Sequence, residues 1–578
     1  MATRKPPAEA ATTARLGPGE REDSWQRLGS GTFDLVIVGG GVVGVGAALD
    51  AATRGLRVAL VEARDLASGT SSRSSKLFHG GLRYLEQLEF GLVREALRER
   101  ELMLTRIAPH LVKPVSFLYP LTHRIWERPY TAAGLLMYDT MGGARSVPGQ
   151  KHLTRAGALR LVPALRRDAL IGGIRYYDAQ ADDARHTMMV GRTAAHYGAV
   201  VRTSTQVIAF LREADRVSGV RVRDVEDGRE VDVHAHAVIN ATGVWTDELQ
   251  RLSGSRGRFR VRASKGVHIV VPRDRIVSES GLILRTEKSV LFVIPWRNHW
   301  IVGTTDTDWN LDLAHPAATK HDIDYLLEHV NSVLATPLTH DDIEGVYAGL
   351  RPLLAGESES TSKLSREHAV ARVAPGLVAI AGGKYTTYRV MGADAVDAAS
   401  VDLPGRTQPS ITDRVPLVGA DGYHALVNQV DQLATRYGLH PYRVRHLLDR
   451  YGSLVHEVLG SADPELLKPL PHAPDYLQVE VVYAASHEGA LHLEDVLTRR
   501  TRISIEYPHR GVDCARQVAE LVARVHGWDE ARVTHEVEVY TARVEAERAS
   551  QTEPDDQAAD AVRSAAPEAR PELVEPVG

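Results

Sequence analysis

Residues 33–62 constrain the fold more than any other stretch of the chain. FDLVIVGGG is an apolar run ending in glycines, the pattern of a buried parallel strand that enters a tight turn. VVGVGAALDAATRG follows as a helix and LRVALVE as a second strand, which makes one strand–helix–strand unit. Gly39, Gly41 and Gly44 form G-x-G-x-x-G at the strand–helix junction, with Gly40 between the first two. The first glycine permits the turn, the second lets backbone approach a pyrophosphate, and the third lets helix pack on strand. The helix N-terminus then offers free N–H groups and a partial positive charge to phosphate. Glu62 ends the second strand, where a carboxylate accepts from a ribose 2′-hydroxyl and disfavours a 2′-phosphate. The unit predicts a dinucleotide site without separating FAD from NAD. The plainer alternative, a glycine-rich turn with no ligand, does not explain why strand, helix, strand and acid occur in this order.

Length and charge narrow the rest. At 578 residues the chain exceeds one ordinary core and predicts two or three domains. A net charge of -5 gives no reason to expect nucleic-acid binding, which needs a concentrated basic surface. Cys514 is the only cysteine, so neither an internal disulfide nor a cysteine-ligated iron–sulfur cluster can form within the chain. This agrees with a reducing, cytoplasmic setting. No apolar run reaches the roughly 20 residues needed to span a bilayer. The N-terminus has no apolar core of a secretory signal. The histidines show no H-E-x-x-H or similar spacing, so no metal site is expected.

Residues 1–30 and 546–578 are rich in Ala, Pro and charge and read as disordered tails. Residues 85–108 read as a long helix, and 199–240 as short alternating strands of an antiparallel meander. Strand-like pieces recur at HIVVP, SVLFVIPW and WIVGTTD. Helical segments such as PYRVRHLLDRYG and DCARQVAELVARVHG dominate beyond LPGRTQPS, which places a boundary near residue 405.

After Glu62 comes ARDLASGTSSRSSKLFHGGLRYLE, an extended Ser/Thr/Gly segment that is neither an apolar helix nor an ordinary loop. With VINATGVWTDEL, SKGVHIVVPR, VGTTDTD, AGLRPLL, LSREHAV and GGKYTTYRVM in order, the chain resembles the FAD-dependent glycerol-3-phosphate dehydrogenases, of the bacterial aerobic, quinone-linked type. The blocks span residues 33 to 395, and EDVLTRRTRIS extends the likeness more loosely into the helical part. The resemblance implies an α/β plus α architecture. A discontinuous Rossmann-like FAD domain would take residues 31–84, 150–250 and 365–404. An α+β substrate domain with an antiparallel sheet would take 85–149 and 251–364, and a helical C-terminal domain 405–545. The FAD contacts it implies are Gly39, Gly40, Gly41, Gly44 and Glu62; Thr70, Ser71, Ser72, Ser75, Lys76, Leu77, His79, Gly80 and Gly81; Ala241, Thr242 and Gly243; and Gly382, Gly383, Lys384 and Thr386. Small hydroxyl residues over 68–75 suit an extended backbone lying close to a large planar group.

Moving a hydride from a secondary alcohol to flavin N5 requires a phosphate clamp, a proton acceptor and positive charge beside the flavin. By resemblance, Arg83, Arg351 and Arg366 are the candidates for the phosphate and the triol of glycerol 3-phosphate. Arginine suits the task because its planar fork bonds two phosphate oxygens at once. Tyr84 would donate to the phosphate or shape the pocket. Lys384 would contact substrate or stabilise reduced flavin. His268 is the first candidate for the proton acceptor and His79 the second, since histidine takes a proton near neutral pH without large tuning. An arbitrary arginine or histidine is a surface or structural residue, and the family-like blocks single these ones out.

The resemblance implies a membrane quinone as electron acceptor and a protein held peripherally at the inner face of the cell membrane. Residues 112–138 offer a contact surface, with Phe117, Trp126, Leu135 and Leu136 among Lys113, His123, Arg124 and Arg128; packing of the same apolar residues in the substrate-domain core is the alternative. An oxidase that passes electrons to oxygen, and a non-catalytic flavin redox sensor, are the competing functions. A homodimer is compatible with the resemblance.

Overall fold

The computed structural model describes residues 14–81, 89–122, 146–254, 259–286, 290–355, 367–460 and 463–574. The opening motif builds what its pattern predicts. Strand Phe33–Val38, helix Val42–Thr53 and strand Val58–Val61 follow in sequence, and the two strands pair in parallel. Leu377–Gly382, Glu230–Asn240, Phe33–Val38, Val58–Val61 and Val200–Arg202 lie side by side in that order, all parallel. Helices Val42–Thr53, Asp183–His196 and Tyr388–Ala399 bury their apolar residues against one face, in a core containing Leu35, Ile37, Ile239 and Ile380. Strands Thr205–Glu213 and Arg216–Asp224 extend antiparallel from Glu230–Asn240, and their valines fill the other face with Val36 and Val238.

The second sheet is mostly antiparallel and has ten strands among the described residues. Its centre is Val261–Pro272, which pairs with Gly345–Leu354 on one side and with His299–Gly303 and Thr307–Trp309 on the other. Val267, Ile269 and Val271 alternate toward helix Lys320–Asn331, which packs Ile323, Leu326, Leu327 and Val330 on them. Alternation therefore turns Ser264, Gly266 and His268 to the opposite face, where the site lies. Beyond the boundary near 405 the chain is mainly helical, with separate cores around Tyr451 and around Val518.

The structure corrects three expectations. Residues 150–182, expected in the cofactor domain, belong to the second sheet: Lys151–Thr154 and Gly172–Gln180 pair there, the latter with Lys113–Leu121 along nine residues. Residues 18–28, placed in a disordered tail, form a helix whose Arg21 bonds buried Asp224 at 2.9 Å and whose Leu28 is buried. The tail at 546–578 continues helix Glu530–Ser550 and adds helix Asp556–Ser564. It is anchored by buried Ala559 and by Arg570, which reaches Asp495 at 2.7 Å. Composition misled because these ends attach through ion pairs with the body rather than through an apolar core of their own.

The helix expected over 85–108 runs from Phe90 to Leu102 and ends in a wider turn at Met103–Ile107. Of the membrane-contact candidates, Phe117 is fully buried and Lys113 pairs with Asp449 at 3.0 Å, so both face protein. His123, Arg124, Trp126, Arg128, Leu135 and Leu136 lie outside the described residues. Among the described residues no helix is long and apolar enough to cross a membrane, and no group of side chains is arranged to hold a metal.

Candidate active site

One continuous cavity of about 690 Å³ joins the two sheets. It is lined by Gly39, Gly41, Glu62, Thr70, Ser71, Ser75, Leu77 and His79 from the first part of the chain. Ala241, Thr242, Gly243, Gly382, Gly383, Lys384 and Thr386 come from the ends of two other parallel strands, and His268 and Arg351 from the second sheet. The volume lies in the range of built small-molecule sites.

The glycine loop is shaped by contact. Gly39 holds φ +113, and a Cβ on Gly44 would lie 1.9 Å from the Gly39 carbonyl oxygen, so only glycine lets the helix approach this closely. The helix N-terminus at Val42 faces the cavity, where its N–H donates to Ser71 Oγ at 2.9 Å. Glu62 accepts from the N–H groups of Gly40 at 2.6 Å and Arg64 at 2.8 Å, while burial pushes its carboxyl above the usual range. Gly40 and Gly44 thus act behind the lining rather than in it.

The hydroxyl segment is tied to the fold as much as to the cavity. Thr70 Oγ1 donates to the Leu350 carbonyl at 2.6 Å, and Ser72 is turned to Gly69. Lys76, expected to contact the cofactor, is buried with its ammonium 2.9 Å from Asp183, outside the lining. It cannot point two ways, and a buried ammonium goes to the carboxylate. Gly80 and Gly81 also stand outside the lining. Thr386 Oγ1 bridges the backbone N–H and carbonyl of His79, at 3.2 and 3.3 Å, which joins the Lys384 loop to the end of the hydroxyl segment.

On the second sheet, His268 stands between Gly303 and Tyr347 on its neighbouring strands. Tyr347 stacks on the imidazole at 4.7 Å, nearly parallel, and its hydroxyl donates to the Ser74 carbonyl at 3.0 Å. A Cβ on Gly303 would lie 2.2 Å from His268 Cδ2, so the glycine makes room for the ring. Nε2 shares a 2.8 Å hydrogen bond with Ser75 Oγ. Burial holds the His268 pKa well below the ordinary value, with the charges of Arg351 and Lys76 adding to it, so the ring is neutral at pH 7. Arg351 lies on the same sheet face, with Nη2 3.0 Å from Thr304 Oγ1, both Nη atoms 3.3 Å from the Thr305 carbonyl, and Asp306 at 3.7 Å. These contacts fix the plane of the fork beside the cavity.

Arg83, Tyr84 and Arg366 lie outside the described residues. Arg64, Arg73 and Trp245 line the cavity from inside the family-like blocks without having been singled out there, and Gln206 and Leu573 line it from stretches that no motif marked. Tyr347 and Gly303 support His268 through strand register, and Ser75 through a long-range hydrogen bond, neither of which a single sequence displays. The residues present fit FAD: a glycine cradle and helix N-terminus for phosphates, Glu62 for a ribose, and hydrogen-bonding side chains farther along the same cavity.

A family model described as FAD dependent oxidoreductase matches residues 34–389, and one described as the C-terminal domain of alpha-glycerophosphate oxidase matches residues 410–533. The chain is 72% identical over 566 residues to "Glycerol-3-phosphate dehydrogenase 2" of Mycobacterium tuberculosis, covering 98% of this chain and 97% of that one. It is 36% identical to the mitochondrial glycerol-3-phosphate dehydrogenase of Homo sapiens, over 88% of this chain and 72% of the relative. Among solved structures, the glycerol-3-phosphate dehydrogenase from Bacillus halodurans complexed with FAD superposes with a TM-score of 0.75 at 28% identity, covering 92% of this chain and 98% of that one. The chain belongs to the FAD-dependent glycerol-3-phosphate dehydrogenase family.

Proposed function

We propose that the protein oxidises sn-glycerol 3-phosphate to dihydroxyacetone phosphate and passes the electrons to a membrane quinone. The observation that carries this reading is the placement of neutral His268 and Arg351 on one sheet face, in the same cavity as Lys384 and the glycine loop. Bound FAD supplies the hydride acceptor. Arg351 holds the substrate phosphate, with Arg83 and Arg366 completing the clamp. His268 takes the proton of the secondary hydroxyl at Nε2, directly or through Ser75 Oγ, as the carbon gives up its hydride. A ring already neutral at pH 7 is ready to accept without first being deprotonated. Lys384 contributes positive charge to the same cavity, and His79 is the second candidate for the proton.

The electron acceptor must come to the flavin, because the chain holds no cysteine cluster to relay electrons. The interleaved aromatic, aliphatic and basic residues of 123–138 suit a bilayer surface at the inner face of the cell membrane. The test is to supply glycerol 3-phosphate with a soluble quinone analogue and measure dihydroxyacetone phosphate, quinone reduction and peroxide together. Product formed in step with quinone reduction is expected. Product accompanied by stoichiometric peroxide would make the protein an oxidase, and absence of product would end the reading. Flotation with anionic liposomes checks the membrane contact, which requires the protein to rise with the lipid.

A further inference from the structure

A second, smaller cavity of about 100 Å³ lies behind the active site, where the C-terminal helices meet the second sheet. Five guanidinium groups line it, of which Arg502 is paired with Asp182 and Asp183. The other four come from separate segments: Arg73 from the hydroxyl segment, Arg510 ahead of helix Val512–His526, Arg543 on helix Glu530–Ser550, and Arg563 on helix Asp556–Ser564. Arg510 is 5% exposed and Arg543 9%, yet Nε and Nη1 of Arg510, Nη2 of Arg543 and Nε of Arg563 are buried without a hydrogen-bond partner. Buried charges are ordinarily paired and hydrogen-bonded.

The acids supply only part of the balance: Glu494 and Glu547 line the pocket, and Glu568 lies 3.9 Å from Arg543, beyond hydrogen-bond range. Glu547 is the carboxylate nearest both Arg510 and Arg563, at 3.8 and 3.7 Å, beyond hydrogen-bond range. Glu494 is turned to Arg499 at 3.1 Å, and Glu568 to His315 at 2.6 Å. Burial pushes Arg73 down to about 10 and lowers Arg510 and Arg563 as well, with the charges of Arg563 and Arg543 adding to it at Arg73 and that of Arg543 at Arg563.

We propose that this pocket is a second anion site, built for one compact tetrahedral oxyanion of the phosphate class. Guanidinium forks converging from four segments match an oxyanion that accepts from several directions, and the space is several times what a water needs (roughly 10–15 Å³) but too small for a nucleotide. Arg73 and the chain at Ser72–Ser74 adjoin both cavities, so the bound anion would brace the active site from behind.

Inorganic phosphate also enters a clamp for a phosphorylated substrate, so the two sites must be read apart. Melting temperatures of flavin-loaded protein are compared in about 10 mM phosphate and in chloride of equal ionic strength, for the unmodified chain, Arg351→Gln, Arg563→Gln and Arg510→Gln. A rise of about 2 °C in phosphate is expected for the unmodified chain and for Arg351→Gln. Less than half of it should survive in whichever of Arg563→Gln and Arg510→Gln folds, and that variant should lose no stability in chloride. An equal rise in both of these variants, or none in Arg351→Gln, would overturn the proposal and leave the pocket to water.

Discussion

At the scale of the residue, His268 is defined by what surrounds it. A neutral imidazole stacked on Tyr347, given room by Gly303 and bonded to Ser75, has a fixed orientation and a depressed pKa. His268→Ala should lower kcat on the order of 10²–10⁴-fold while flavin absorbance of the purified protein is unchanged. The pH profile follows from the sign of the shift. Burial lowers the folded value below the ordinary histidine value of about 6.5, so the active neutral form persists down through that pH. The kcat/KM profile should therefore be flat from pH 8 to about 6.5 and fall only on further acidification. An acid limb centred at or above pH 6.5 would contradict the assignment. His268 was singled out only by its family-like block, KGVHIVV; its supports were not, because Ser75, Gly303 and Tyr347 are brought to it by folding and register.

At the scale of the element, the strand–helix–strand unit works through one contact, the glycine-loop helix resting on the turn that precedes it. Gly44→Ala would drive a Cβ into the Gly39 carbonyl and push the helix N-terminus out of line with the cavity. The variant should purify with most of its flavin missing, read from the ratio of visible to ultraviolet absorbance. This unit was legible as a dinucleotide site because strand, helix, second strand and acid occur in order, although it did not by itself separate FAD from NAD. Residues 150–182 were not. Their strands Lys151–Thr154 and Gly172–Gln180 find partners in the second sheet although the helix that follows, Asp183–His196, packs on the first. A chain that crosses between two sheets carries no local mark of the crossing.

At the scale of the whole molecule, buried ion pairs join the C-terminal helices to the cofactor domain. Asp65 is fully buried and accepts from Arg499 at 2.6 Å and from both Nη atoms of Arg500 at 2.8 and 2.7 Å; Arg185 forms a two-pronged pair with Glu488 at 2.8 and 3.0 Å. Asp65→Ala leaves the buried Arg500 guanidinium without its carboxylate, while Arg499 keeps Glu494 and Asp495, and should cost about 3–5 kcal/mol in urea unfolding. Such long-range pairing also explains why both ends of the chain read as tails: Arg21 and Arg570 look like solvated charges until the body places Asp224 and Asp495 opposite them. The central claim is that cofactor, proton acceptor and phosphate clamp act on one substrate in one cavity, and an anaerobic titration tests it most directly. Adding glycerol 3-phosphate to the oxidised holoprotein without oxygen should bleach the flavin band, with Arg351→Lys requiring about 10–100-fold more substrate for the same effect. An unchanged spectrum at saturating substrate would contradict the account and leave a flavoprotein that senses rather than catalyses.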